Sequence, residues 1–110
     1  MTHLPNTYLN IKERHPAFIA AVEALGDSVS QAGPLDAKTT QLIQLAAAAA
    51  VHSEGSVKNH ARRARTAGAT EEEIEHTLIL LTGTIGFPTV AAALSWVEVD
   101  TSPAWVSECR

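Results

Sequence analysis

The sequence predicts an all-α protein of about six helices, and three observations predict it. Apolar residues recur at three- and four-residue spacing through most of the chain, and alternation is confined to Val97-Glu98-Val99. Helix-start residues (Pro16, Asp36, Ser53, Thr70, Pro88) and helix-stop residues (Gly33-Pro34, Gly68, Gly86) bracket those stretches. The chain is 45% hydrophobic but only 5% aromatic. Alanine and leucine therefore carry the apolar content, which suits close helix–helix packing.

Taken in order, Asn6 to Arg14 carries Tyr8, Leu9 and Ile11 and reads as a short helix. Pro16 suits the first turn of a second helix, whose stripe is Phe18, Ala21, Val22, Leu25 and Val29. Gly26 falls inside that run and weakens it. Asp36 is an N-cap for the third helix, where Leu42, Leu45 and alanines 46–50 make nearly every side apolar. Such a helix is expected at the centre of the fold, at an oligomer interface, or both. Ser53 is the expected cap of the fourth helix, which runs to Ala67, with Gly68 as its left-handed stop. Thr70 and Glu73 have capping-box spacing. The fifth helix follows with Ile74, Leu78, Leu81 and Ile85 on one face. Gly86-Phe87-Pro88 ends it and opens a sixth, carrying Val90, Leu94, Trp96 and Val97.

The 110 residues are expected to form one domain, with N-terminal helices over 6–33, a core over 36–99 and a tail over 101–110 anchored by Trp105. A formal net charge of −4 gives no general nucleic-acid footprint. Arg62, Arg63 and Arg65 are followed closely by Glu71–Glu73 and Glu75, which reads as opposite charges on neighbouring helix ends. The one cysteine, Cys109, excludes an internal disulfide framework and a cysteine-built zinc site. No leader pattern is visible, and the apolar stretch from Leu45 to Val51 is too short to cross a bilayer. A cytoplasmic protein without a membrane partner is expected.

The segments DAKTTQLIQLAAAAA, SEGSVKNHARRARTAGAT and EEEIEHTLILLTGTIGFP, in that order, resemble the carboxymuconolactone decarboxylase family, which includes the alkylhydroperoxidase D-like proteins. The stretch from His60 to Thr70, with Glu73-Ile74 after it, is the most specific part. The resemblance implies an alkylhydroperoxidase D-like helical fold assembled as homotrimers or hexamers. It also implies two chemistries. The peroxidase branch uses a C-x-x-C pair, a histidine four residues after the second cysteine, and a glutamate on the preceding helix. The decarboxylase branch lacks the cysteines and acts on a muconolactone acid.

Carried onto this chain, the relay histidine falls at His60, the two cysteine positions at Ser53 and Ser56, and the relay acid at Gln41. A helix N-terminus and a histidine can make a thiol reactive, but a serine in the same field stays an alcohol. Gln41 cannot accept a proton as a carboxylate would. The dithiol peroxidase chemistry is thus lost at three positions. The decarboxylase's fifth-helix histidine falls at Leu80, with His76 one turn earlier, which weakens that chemistry too.

The remaining candidates are His60, Glu54, Ser56 and His76. His60 suits proton transfer near neutral pH, or a bond between helices. Glu54 at a helix start is either a second acid/base or a solvent-facing residue stabilised by the dipole. Ser53 and Ser56 suit capping, and Ser56 a nucleophile with His60 as base, though no carboxylate is spaced to orient the histidine. His76 pairs with Glu72 on its own helix or approaches the pocket, from its own or a neighbouring subunit. His52, Glu54, His60 and His76 are metal-ligating types without a supporting spacing, so no metal and no cofactor is expected. Thr82, Gly83 and Thr84 either line a small cavity or bond back to their helix. The expected function is acid/base chemistry on a small organic molecule, by a lyase, isomerase or hydrolase. The alternative is a non-catalytic binding or scaffold oligomer.

Overall fold

The structure is a computed structural model and describes residues 6–98. Cys109, Trp105 and the rest of the tail at 101–110 lie outside the described residues. The described chain is helical and carries no strand: α1 (Asn6–Arg14), α2 (Pro16–Ser30), α3 (Ala37–Ala50), α4 (Glu54–Thr66), α5 (Glu71–Ile79), α6 (Thr82–Ile85) and α7 (Phe87–Val97). Among these residues no helix is long and apolar enough to cross a membrane.

Most helix boundaries follow from local chemistry. Asp36 accepts the Thr39 N–H at 2.7 Å and caps α3. Thr70 and Glu73 close a reciprocal capping box at α5, with bonds of 3.0 and 2.8 Å. At the end of α4, Gly68 takes φ +102°. The N–H groups of Ala69 and Gly68 return to the carbonyls of Ala64 and Arg65, a Schellman stop. Arg65 then joins three helices. Its guanidinium clasps the Glu71 carboxylate and donates to the Val97 carbonyl at 2.7 Å, one of the carbonyls a helix end leaves free. The basic cluster is thus engaged in part with the acidic start of α5.

The turn between α3 and α4 has the same Schellman pattern with a histidine where glycine would be at ease. His52 sits at φ +58°, and the Ser53 N–H reaches back to Ala48 O at 3.1 Å. A left-handed residue with a Cβ costs about 1–2 kcal/mol, partly offset by glycine's greater chain entropy. His52→Gly is therefore expected to raise stability by about 1 kcal/mol in urea denaturation. A variant less stable than the wild type would mean that the imidazole makes a compensating contact.

Two expectations need correction. The fifth helix is not continuous: it becomes α5 and α6, separated at Leu80-Leu81. There the bonding tightens, with Leu81 N–H to Leu78 O and Thr84 N–H to Leu81 O. The Thr82 hydroxyl takes the Ile79 carbonyl at 2.8 Å, a side-chain bond that competes with the helical ladder. Ser53 does stand at the N-cap position of α4, but its side chain makes no capping bond.

The core lies where α3 packs on α4, α5 and α7. Leu45, Ala48 and Ala49 meet Val57, Ala61, Ala64, Ile74, Leu78, Ala93 and Val97 there. The α3–α4 seam is rich in alanine, so the two helices approach closely. By contrast α2, continuous through Gly26, packs chiefly on α1. Its apolar stripe is left open: Phe18 is 60% and Leu25 64% exposed, and only Ile19 on this helix is buried.

Candidate functional site

Helices α3 and α4 run as an antiparallel hairpin, so residues near the middle of one face residues near the middle of the other. This brings Gln41 and His60 together across 19 positions of sequence, Nδ1 to Oε1 at 2.9 Å. A carboxamide oxygen carries no proton, so the ring nitrogen donates. His60 is thereby held as the Nδ1–H tautomer, with the Nε2 lone pair free. Burial, and secondarily the positive charge of Arg63, keep its pKa below the ordinary histidine range. The imidazole is therefore neutral at pH 7.

His60 opens onto a shallow hollow of about 320 Å³ between the two helices, lined by Gln44, Ala47, Ala48, Val51, Ser56 and His60. Alanines and a valine form its apolar wall on α3. Ser56 and His60, one turn apart on α4, form the polar side, and Gln44 adds an amide. No bond joins Ser56 to His60, so the serine is not activated in this arrangement.

The other candidates stand apart. Glu54 is 52% exposed and pairs with Lys58 at 2.8 Å along its own helix; it does not line the hollow. The carboxylate and His60 therefore do not converge within one chain. His76 is exposed on α5, outside the hollow and without an ion pair to Glu72. Among the described residues no three His, Cys, Asp or Glu side chains group to hold an ion. Of the 82–84 patch, Thr82 bonds back to the backbone and Thr84 is exposed. Two residues not anticipated from sequence enter the neighbourhood. Gln44 lines the hollow, and Arg63 lies one turn beyond His60 on α4. The i, i+3 spacing of His60 and Arg63 was a readable signal, hidden by the charge balance of the whole cluster.

A helical hairpin carrying an oriented histidine beside a small, shallow hollow defines the class: an all-α domain built around one helix pair. The model of the carboxymuconolactone decarboxylase family matches residues 16–99, most of the chain, and the protein belongs to that family. The match begins at α2, earlier than the sequence resemblance drawn from residue 36. A similar protein is an uncharacterized protein of Haemophilus influenzae, 34% identical over 63 residues. That alignment covers 57% of this chain and 56% of the relative, so the chain spans just over half the relative's length.

Proposed function

We propose that the protein is a homo-oligomer without dithiol chemistry, in which neutral His60 acts as a general base on a small organic molecule held in the α3–α4 hollow. The observation that carries this is the Gln41–His60 hydrogen bond. It fixes the ring, fixes its tautomer, and leaves one lone pair to accept a proton. An amide at position 41 adds no negative charge, so nothing there holds the ring as imidazolium. Glu54 has no part in this version, because Lys58 holds it at the surface. Ser56 serves as a hydrogen-bonding group of the hollow. The trimeric or hexameric assembly implied by the family is supported by large apolar side chains that stand exposed among the described residues: Phe18, Leu25 and Val29 on α2, and Leu80 and Phe87 around α6. In such an assembly a neighbouring copy is the source from which His76 or a second acid would reach the hollow.

The test is proton exchange. Incubation in D2O with a panel of small lactones and oxo compounds is expected to give protein-dependent deuterium uptake at the acidic carbon, followed by NMR. His60→Ala should lower that rate by about 10²–10⁴-fold. Exchange unaffected by His60→Ala would sink the assignment. A second reading, binding without turnover, is favoured by the separation of Glu54 from His60. It predicts bound panel members and no exchange.

A further inference from the structure

The hollow beside His60 does not end at Gln44. A second depression, of about 240 Å³, lies between the end of α2, the 31–36 connection and the start of α3. Its lining includes Pro34, Leu35, Thr40, Ile43 and Gln44. Gln44 also lines the hollow of about 320 Å³, so the two depressions meet at its half-buried side chain. Thr40, Ile43, Gln44 and Ala47 recur at three- and four-residue steps and share one face of α3, which Val51 continues at the C-cap. The combined cleft therefore follows α3 from Leu35 to Val51. Leu35 and Ile43, both large and apolar, are more than half exposed along it. No charged side chain lines either depression. Singly each is at or below the lower end of the range of small-molecule sites, about 300–1,000 Å³, and together they fall inside it.

We propose that the two depressions form one binding cleft for an uncharged amphiphile, a molecule with a hydroxyl head and an unbranched alkyl tail. The head lies between Ser56 and His60. It donates to Nε2, the ring nitrogen that Gln41 leaves free, and accepts from the Ser56 hydroxyl. The tail passes Gln44 and lies along Thr40, Ile43 and Leu35. From Ala47 to Thr40 is seven residues of helix, a span of about 10 Å. At about 1.2 Å per bond of an extended chain, that span takes a tail of about eight carbons. A charged ligand would give up water here with no ion lining the cleft to pair with it. Binding in this cleft rests on the hollow being a ligand site, as proposed above, and not on His60 turning the ligand over.

The probes are n-butanol, n-hexanol and n-octanol, titrated into the intact ¹⁵N-labelled protein. All three are expected to move the Ser56 and His60 resonances, and n-octanol also those of Gly33, Leu35 and Ile43. Each added methylene should tighten binding about two- to fourfold, the lower figure corresponding to half-burial in an open groove. Ile43→Gln should flatten that gain and leave the n-butanol shifts in place. Ile79→Gln, at an isoleucine equally exposed on α5 and outside the cleft, should keep the gain. A ¹⁵N spectrum unshifted away from α3 establishes that Ile43→Gln is folded. Octanoate should bind more weakly than n-octanol. Affinity independent of chain length, n-octanol shifts that avoid Gly33, Leu35 and Ile43, a gain that survives Ile43→Gln, or tighter binding of octanoate would each overturn the assignment. A second copy of the chain seated on the groove would give the second of these results. Because the readout is binding, failure of the deuterium-exchange test leaves this result standing, and the two readings fail separately.

Discussion

Gln41→Glu is expected to turn His60 from a neutral imidazole into an imidazolium at pH 7. The introduced carboxylate would face Nδ1 across the 2.9 Å now spanned by the amide. Opposite charges about 4 Å apart attract by roughly 4 kcal/mol at an effective dielectric constant near 20. Desolvation of the new carboxylate opposes this, and partial exposure of the pair screens it. The direction is nonetheless set: His60 should titrate above its ordinary range in the variant and below it in the wild type, followed through the imidazole C–H resonance. Base-dependent activity at neutral pH should fall with it, since Nε2 would already hold a proton. The stability effect reverses as well. In the wild type the unfolded chain takes up a proton, between the ordinary histidine pKa of about 6.5 and the lower folded value, that the native state does not. His60 therefore contributes stability that is lost as pH falls through that window. In Gln41→Glu its contribution is instead lost as pH rises through the elevated folded value. An unchanged His60 titration in the variant would show that the hydrogen bond does not govern the ring.

Leu45→Ala is expected to cost about 3–5 kcal/mol, the largest stability loss of any change considered. Leu45 is fully buried on α3, where that helix meets α4, α5 and α7. Its neighbours in the core include Ala48, Ala49, Ala61 and Ala64, short side chains that cannot swing into a vacated space. The cavity would therefore persist, and the cost falls at the upper part of the range. Against a typical domain stability of about 5–15 kcal/mol this is a large fraction, and the melting temperature should drop by roughly 15 °C. A loss below about 1 kcal/mol would mean that the helices close over the gap.

Much of the secondary structure was legible because its causes are local. The Asp36 cap, the Thr70–Glu73 box and the Gly68 stop each need only a few neighbouring residues, and each is present as expected. The α5–α6 break was less legible. Its signal, Thr82 bonding back to Ile79, was read as one of two roles for the patch and not as the end of a helix. The apolar stripe of α2 shows a different limit. Helical period says that Phe18, Leu25 and Val29 share a face, but not what covers that face. Among the described residues it stays largely exposed, because α2 packs mainly on α1.

The candidate site divides along the same line. Sequence by itself determined the lone cysteine, the capped helices, the family core and the histidine at position 60. Those follow from residue identity and short-range spacing. Tertiary structure alone decided what His60 touches. Only the antiparallel docking of α3 on α4 sets Gln41 against its ring and aligns Gln44 and Ser56 along one hollow. Glu54 and His76 have equally suitable chemistry, yet one is held by Lys58 and the other lies exposed on α5. The physical reason is range. A cap or a stop is settled within one turn, whereas a site depends on contacts between helices whose meeting point no single turn encodes.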